Sequence, residues 1–254
     1  MTSQQEFPKN PILELKNISA GYADYPVLHQ VNLQIFGSEV VCVLGPSGCG
    51  KSTLLKIAGS FLAPKAGSVV FQGKGVTNPD HHRLMVFQNQ NQLLPWMTLE
   101  QNIRFALKHG PLKSHPSSWR ERIAKSLQEV GLQNAAKLYP HQLSGGMAQR
   151  GALARAFGCQ PALLLMDEPF GSVDAPTRSE LQHLLLDLIA NHHTATLFVT
   201  HDLEEALLLG HRILVLNSRG FITLDSRSTK PGHPSAVRQA MEHPDLRANR
   251  YDRP

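Results

Sequence analysis

The sequence predicts an α/β protein whose sheet is largely parallel, and two observations carry that prediction. Short apolar runs alternate with helical patterns along most of the chain, the order that places helices on the faces of a parallel sheet. The stretch from about Leu99 to Phe157 differs, because it shows helical patterns and no strand. We therefore expect an α/β core with a helical insert at 89–157. The predicted strands lie at residues 12–18, 39–44, 68–71, 84–87, 162–167, 195–199 and 213–216.

The elements of the predicted core rest on local patterns. Residues 12–18 alternate apolar and polar side chains, which is typical of a half-exposed strand, whereas 39–44 form an apolar run typical of a buried one. A glycine-rich turn follows the buried strand, and the chain from Thr53 to Leu62 has a helical pattern. Residues 178–191 predict a helix with one apolar face, because leucine and isoleucine recur there at helical spacing.

The helical insert contains two clear elements. One helix is predicted from Trp119 to Val130 and another from Gly146 to Phe157, with Ser144 as a candidate N-cap. The tail from residue 227 has weak periodicity and is predicted to be partly ordered at best. We expect a single domain over 1–254, with the α/β core at about 1–88 and 158–226, the helical subdomain at about 89–157 and the tail at about 227–254.

Composition and charge exclude several classes of protein. Hydrophobic residues make up 41% of the chain and charged residues 18%, which argues against wholesale disorder. Three cysteines without CxxC spacing argue against a disulfide framework or a zinc site. The net charge of +5 could indicate a nucleic-acid or membrane surface. No five or six basic residues are consecutive, so an ordinary solvated surface is favoured and no nucleic-acid partner is expected.

The sequence also predicts where the protein works. No apolar run approaches the ~20 residues that cross a bilayer, and the start MTSQQEFPKN lacks the apolar region of a secretory signal. We therefore expect the protein to stay in the compartment where it is made and to reach a membrane only through a partner.

A glycine-rich loop follows the buried strand at 39–44. It fits the pattern G-x-x-x-x-G-K-[ST] between an apolar strand and a helix, the context that this pattern requires. Glycines let backbone N–H groups approach phosphate oxygens, and the helix N-terminus adds partial positive charge. Lys51 is placed to neutralise the β- and γ-phosphates, and the Ser52 hydroxyl to bind Mg²⁺. The predicted nucleotide-binding residues are Gly45, Pro46, Ser47, Gly48, Cys49, Gly50, Lys51, Ser52 and Thr53.

Two acidic residues end the apolar run at 163–166. Acids after a strand are common, but together with the phosphate loop these two indicate a catalytic site. Asp167 is a predicted Mg²⁺ ligand, and Glu168 is predicted to polarise the attacking water.

Cys49 lies inside the loop, beside Lys51 and a helix N-terminus, and both features activate a thiol. Only the backbone of Cys49 need touch phosphate, so no catalytic role is predicted for its side chain. We expect a bulky maleimide to inactivate the protein through Cys49, and MgATP to protect it.

The segment Leu143–Arg150, LSGGMAQR, resembles the signature motif of ABC transporter ATP-binding subunits. Other motifs similar to that family come in its usual order: Gln88 matches the Q-loop, 167–174 the extended acidic motif and D-loop, and His201 the switch histidine. The resemblance covers about residues 12–225. It implies an ABC cassette, a P-loop NTPase fold with a mostly parallel sheet core, an N-terminal antiparallel β part and a helical subdomain.

The resemblance further implies ATP and Mg²⁺ as cofactors and assigns roles to single residues. Tyr22 would stack on adenine, with Tyr25 as a rival three residues on. The implied catalytic residues are Glu168, His201 and Gln88, and the implied Mg²⁺ ligands are Ser52, Gln88 and Asp167.

The resemblance implies a second subunit as well. In this family two cassettes pair head to tail, so that ATP lies between the phosphate loop of one and Ser144, Gly145 and Gly146 of the other. A helix start with glycines is itself an anion cradle. The plainer interpretation of Ser144 alone is an N-cap with nothing bound.

The branch of the family is indicated by the segment Leu93–Trp96, which resembles importer subunits for nitrate, alkanesulfonates and taurine. That resemblance implies integral-membrane permease subunits, an indirect link to a solute-binding protein, and a peripheral position on the cytoplasmic face of the cell membrane. The apolar side chains of Leu93, Leu94 and Trp96 could receive a permease helix or pack inside the helical insert, and both interpretations stay open.

Two other functions fit the sequence less well. A non-transport ABC ATPase acting on nucleic acid or ribosomes would account for the basic charge, but such proteins usually carry long coiled coils or two cassettes, and this chain shows neither. A non-catalytic regulatory cassette is opposed by the intact Lys51, Asp167, Glu168 and His201.

Overall fold

The computed structural model describes residues 10–22, 25–87, 92–111, 116–171 and 173–227, which form two compact units. Among these described residues, the first unit draws on those within 10–79, 165–168 and 195–227, and the second on those within 80–164 and 169–194. The strands are β1 (Leu13–Tyr22), β2 (Tyr25–Ile35), β3 (Val40–Leu44), β4 (Ala66–Phe71), β5 (Lys74–Gly75), β6 (Arg83–Val86), β7 (Leu163–Asp167), β8 (Ala195–Val199), β9 (Arg212–Leu216) and β10 (Ile222–Arg227). The α-helices are α1 (Lys51–Ala58), α2 (Leu99–His109), α3 (Trp119–Glu129), α4 (Gly145–Gly158), α5 (Ala175–His192) and α6 (Leu203–Leu209).

The first unit contains an antiparallel sheet in the order β2-β1-β4-β5. Leu15 of β1 lies opposite Leu33 of β2 on one side and Val69 of β4 on the other, and all three side chains are buried. The strand predicted at 12–18 is therefore confirmed as part of β1. No strand was predicted at β2, because register shifts and a positive φ at Gln30 interrupt its alternation.

The same unit contains the strands of the parallel core, in the order β10-β9-β3-β8 with residues 165–167 of β7 next. β3 pairs parallel with β8 and β9, while β10 closes the edge antiparallel to β9. Every residue of β3 and β8 is buried, as expected for a parallel sheet covered on both faces. The predicted fold class is confirmed.

Helix α1 packs against β8, β1 and β2 through Leu54, Leu55 and Ile57. It begins at Lys51 and ends at Ala58, so the predicted span from Thr53 to Leu62 was displaced. The start lies earlier because Gly50, with φ 113°, turns the chain directly into the helix. The end lies earlier because Ser60 has φ 57°, a left-handed conformation that cannot continue a helix.

The second unit is built around α4, which packs against α2, α3 and α5. Two glycines let the helices approach: a Cβ on Gly151 would lie 2.8 Å from Leu99 Cδ1, and one on Gly158 would lie 2.8 Å from Ser126 Oγ. The helices predicted from Trp119 and from Gly146 are confirmed to within one residue at each end. In the same unit, β6 lies beside the first residues of β7.

The turn between α6 and β9 contains a half-buried histidine, His211, that hydrogen-bonds to β3. The Val40 N–H donates to His211 Nδ1 at 3.2 Å, and the His211 N–H donates to Val40 O at 2.9 Å. Nδ1 accepts only when the imidazole is neutral, and burial lowers the pKa of His211 below the usual value for histidine.

We therefore expect the free energy of unfolding to fall as the pH drops below about 6.5, because the unfolded chain then binds a proton that the folded chain refuses. The free energy of unfolding stops falling at the pH where the imidazole of the folded protein also becomes protonated. Urea denaturation at stepped pH measures it. Asn places an acceptor oxygen close to Nδ1, so His211→Asn should have a shallower pH dependence than wild type. An equal slope in the two proteins would contradict this role of His211.

Candidate nucleotide site

The loop at 45–50 joins β3 to α1 and leaves room for an anion. Gly48 and Gly50 have φ values of 76° and 113°, a region that favours glycine. A Cβ on Gly48 would meet nothing within 4 Å, so the loop is open at this point. No side chain caps the N-terminus of α1, and its first turn holds no acidic residue. The N–H groups of this turn and the helix dipole therefore offer positive potential to a bound anion.

Lys51 is buried under the loop that it follows. Its ammonium group donates to Gly45 O at 2.8 Å and to Pro46 O at 3.0 Å. The side chain is only 6% exposed, so its charge is held in place rather than spread through solvent. An ammonium group has three donors, so one remains for a phosphate oxygen.

The Cys49 side chain turns into the protein, and the prediction that a maleimide reaches it is wrong. Cys49 is 1% exposed, and its Sγ would lie 2.7 Å from a Cβ placed on Gly45. A thiol that packs on the inner side of the loop is shielded from a bulky reagent with or without nucleotide. The side chain of Cys49 therefore packs inside the protein, and only its backbone is available to a ligand of the loop.

Ser52 and Asp167 come together although they are far apart in sequence. The Ser52 hydroxyl at the start of α1 donates to Asp167 Oδ1 at the end of β7, at 3.1 Å. Neighbouring ligands of an octahedral Mg²⁺ with bonds of about 2.1 Å are about 3 Å apart, so these two oxygens fit one edge of that ion. Mg²⁺ is usually held by one or two carboxylates together with water and substrate phosphates, which matches the donors present.

The charge state of Asp167 depends on its surroundings. Burial raises the pKa of its carboxyl above the ordinary value, and the charge of Glu168 adds to that rise. The hydrogen bond from Ser52 and the nearby Lys51 act in the opposite direction. A bound Mg²⁺ would favour the ionised carboxylate that binds it.

Glu168 and His201 form a second polar pair in the same unit. Glu168 Oε2 lies 2.9 Å from His201 Nδ1. The Glu168 N–H donates to Val199 O at the end of β8, and its φ of 43° is unusual for a residue other than glycine. The His201 side chain is 64% exposed and that of Glu168 21%, so a ligand can reach both. A carboxylate oriented by an imidazole is suited to take a proton from water.

Tyr22, at the end of β1, lies beside the phosphate loop's helix. Its hydroxyl is 3.4 Å from Thr53 Oγ1, and its side chain is 51% exposed. Tyr25 pairs with Tyr22 across the hairpin and is 76% exposed. The contact with Thr53 favours Tyr22 as the aromatic side chain for a nucleotide base.

The segment 144–146 belongs to the second unit and begins α4. Ser144 caps this helix, since its hydroxyl accepts from the Met147 N–H at 3.3 Å, and the predicted N-cap is confirmed. Ser144 and Gly145 are exposed. A Cβ on Gly146 would lie 2.8 Å from Thr177 Cγ2, so a larger residue would press on α5. The surface of α4 therefore shows a hydroxyl and a helix N-terminus to solvent.

A profile of the ABC transporter family matches residues 28–171. The chain belongs to the ABC transporter family. It is 47% identical over 206 residues to the aliphatic sulfonates import ATP-binding protein SsuB 2 of Burkholderia lata, across 81% of this chain and 73% of that protein. It is 40% identical over 246 residues to the bicarbonate transport ATP-binding protein CmpD of Synechococcus elongatus, across 94% of this chain and 88% of that protein.

A solved structure of the ATP-binding cassette MJ0796 resembles the fold. That structure is a dimer in a post-hydrolysis state bound to ADP and Pi. The TM-score is 0.70 and the identity 30%, over 85% of this chain and 98% of that one. The predicted family, the ABC cassette fold and the similarity to nitrate and sulfonate importer subunits are confirmed.

Some of the predicted ABC motifs lie outside the described residues. They include Gln88 of the Q-loop and Ser172 of the D-loop, and the tail at 228–254, which is not an ABC motif, also lies outside the described residues. Asp174 of the D-loop is described, and its carboxylate caps α5 by accepting from the Thr177 N–H. Within the part of the chain that the structure describes, no helix is long and apolar enough to span a bilayer.

The segment at 93–96 was predicted either to receive a permease helix or to pack inside the helical insert, and its residues differ in burial. Leu93 is buried, as internal packing requires, whereas Trp96 is 68% exposed. Sequence reasoning missed the residue that shapes this segment. Asn102, fully buried in α2, accepts from the Leu94 N–H at 2.7 Å, and its two amide hydrogens are shared among the carbonyls of Leu94, Met97 and Thr98. A polar residue in an otherwise apolar helical stripe was the only local signal.

Proposed function

We propose that this chain is the ATP-hydrolysing subunit of an ABC importer. The observation that carries the proposal is the pair of polar contacts next to one phosphate loop, Ser52 with Asp167 and Glu168 with His201. One pair suits a Mg²⁺–phosphate complex and the other an attacking water. A non-catalytic cassette would have no need of both.

In the proposed reaction each residue has a separate task. The loop and Lys51 hold the β- and γ-phosphates of ATP. Ser52 and Asp167 would hold Mg²⁺, which would supply positive charge to the transferring phosphoryl group. Glu168 accepts a proton from the attacking water, while His201 orients Glu168. The family motif is the ground for proposing that His201 also contacts the γ-phosphate. Gln88 is proposed to complete the Mg²⁺ and water contacts on the grounds of its motif alone. Tyr22 is proposed to stack on adenine.

A second copy of the chain would complete the site. Ser144, Gly145 and Gly146 present a capped but exposed helix start, which suits phosphate oxygens of an ATP held by the partner's loop. The dimer of the similar cassette MJ0796 supports pairing. Within one chain, the core, the helical subdomain and the tail keep their proposed bounds of about 1–88 with 158–226, 89–157 and 227–254.

Import is favoured over the alternatives by the relatives. Proteins that are 40–47% identical are named for aliphatic sulfonate import and bicarbonate transport. We therefore propose permease subunits as partners, a solute-binding protein as an indirect one, and a position on the cytoplasmic face of the cell membrane. The exposed Trp96 suits contact with a permease. The cargo is proposed to be a small anion or sulfonate, such as nitrate, bicarbonate, taurine or an alkanesulfonate.

Uptake measurements on a strain that lacks the gene test this function. We expect the strain to lose uptake of one labelled solute of that group, and to regain it with the wild-type chain but not with Glu168→Gln. Loss of none of these uptakes, together with binding of the purified chain to nucleic acid at physiological salt, would instead favour the non-transport ATPase.

A further inference from the structure

The turn between β9 and β10, residues 217–221, is wound tightly around one buried side chain. Asn217 Oδ1 accepts from the N–H groups of Arg219 and Phe221, at 3.0 Å each. Two backbone hydrogen bonds close the turn further. The Asn217 N–H donates to Phe221 O, and the Gly220 N–H donates to Asn217 O. Asn217 is only 9% exposed. The shape of the turn therefore depends on an acceptor oxygen at position 217.

This turn presses against β2. Gly220 has φ 80°, and a Cβ placed on it would lie 1.8 Å from Val27 O and 3.1 Å from Leu28 Cα. Gly220 O accepts the N–H of His29 at 3.1 Å. The Phe221 ring stacks on the His29 ring, with centroids 4.7 Å apart and planes 8° apart. No side chain fits between the turn and the strand, so displacing one displaces the other.

The same part of β2 supports the far end of the phosphate loop. A Cβ on Gly50 would lie 2.8 Å from both Val27 Cγ1 and Leu28 Cδ2. The near end of the loop meets the residue that precedes the turn, since a Cβ on Gly45 would lie 2.4 Å from Leu216 O. The Gly45 end of the loop thus contacts β9 directly. The Gly50 end contacts β2, which in turn contacts the turn after β9.

We propose that the turn 217–221 is a positioning element for nucleotide binding, and that Asn217 and Gly220 are its positioning residues. Neither touches the phosphate loop; each acts through Leu216 or through Val27 and Leu28. Backbone N–H groups hold phosphate only when their directions converge, so a small shift at Gly45 or Gly50 weakens several hydrogen bonds together. The inference rests on the proposed ATP binding.

The chain provides a matched control for a test of this role. Gly73 has φ 76°, close to that of Gly220, but a Cβ on it would meet nothing within 4 Å. Gly73→Ala and Gly220→Ala therefore introduce the same backbone strain, and only the second introduces a collision with β2. We expect Gly220→Ala to raise the Kd for ATP and the KM at least about tenfold. We expect Gly73→Ala to leave both at their wild-type values, with a melting temperature comparable to that of Gly220→Ala.

A second pair of variants covers the case in which Gly220→Ala does not fold. Asn217→Ala removes the acceptor that winds the turn and should raise the KM for ATP, whereas Asn217→Asp keeps an acceptor oxygen and should restore it. Calorimetric titration with ATP, enzyme kinetics and thermal unfolding are measured on all four variants and wild type. A KM that follows the melting temperature alone, or an Asn217→Ala protein with wild-type KM, overturns the inference. Wild-type protein that binds no ATP overturns the proposed function instead.

Discussion

Replacing Glu168 with glutamine is expected to stop ATP hydrolysis and leave ATP binding intact. The amide keeps the shape of the side chain but cannot take a proton from the attacking water. A general base contributes roughly 10²–10⁴ in rate, and the phosphate released per subunit in MgATP should fall by that factor. The affinity for ATP, measured by calorimetry, should stay within about twofold of wild type, because the phosphate loop is untouched.

Glu204→Gln is the matched control for this loss. Glu204 lies exposed in the first turn of α6, close in sequence to His201, and the substitution removes the same charge. We expect it to hydrolyse ATP at the wild-type rate. Equal rates in the Glu168 and Glu204 variants would remove Glu168 from the catalytic role.

The same Glu168 variant should reveal the pairing of subunits, because uncleaved ATP holds two chains together. With MgATP it should migrate as a dimer in size-exclusion chromatography with light scattering, and without nucleotide as a monomer. Adding Ser144→Arg should abolish the dimer, since a bulky cation replaces the small hydroxyl that is proposed to face the partner's ATP. Binding of ATP to the monomer should survive, because Ser144 is proposed to act across the interface.

Ser144→Arg also removes a helix cap, and Thr98→Arg controls for that. Thr98 caps α2 in the same unit by accepting from the Gln101 N–H, so this substitution loses a cap and gains the same cation. Each lost cap costs about 1 kcal/mol of stability. A Glu168→Gln protein that carries Thr98→Arg should still dimerise. If the Ser144→Arg protein dimerises equally well, the head-to-tail arrangement is wrong.

The second large effect is expected from Lys51→Ala. The ammonium group is fixed under the loop by Gly45 O and Pro46 O, and one of its three donors remains for a phosphate oxygen. A hydrogen bond to a charged group contributes about 1.5–3 kcal/mol, so losing the one remaining phosphate contact should lower ATP hydrolysis roughly 10- to 150-fold. Phosphate release and ATP affinity should both fall, while circular dichroism shows a folded protein.

Lys56→Ala supplies the comparison for Lys51. It removes an equal charge from the last turn of the same helix, at an exposed position. Its hydrolysis rate should match wild type. A Lys51→Ala protein that is folded and hydrolyses ATP as fast as Lys56→Ala would contradict the placement of the phosphates on this loop.

The structure of the nucleotide-binding loop could be predicted from local sequence alone. The pattern from Gly45 to Ser52 predicted a strand, a turn and a helix in the right order, because glycine conformations and the helix start depend on neighbours a few residues away. Ser144 as the cap of α4 was predictable for the same reason. Asp167 and Glu168 were recognisable as the acidic end of an apolar strand.

The sequence by itself therefore determined the family, the α/β fold class and the candidate polar residues of the site, while β2, β5 and β10 were not predicted from it. Only the tertiary structure decided which of them meet, since β3 pairs with β8 and β9 from more than half the chain away. It joined Ser52 to Asp167 and Tyr22 to Thr53, and it turned the Cys49 thiol inward against Gly45. It also set the turn at 217–221 against the strand that supports Gly50. The physical reason is that burial and close packing belong to pairs of segments brought together by folding, and no local pattern records which pairs these are.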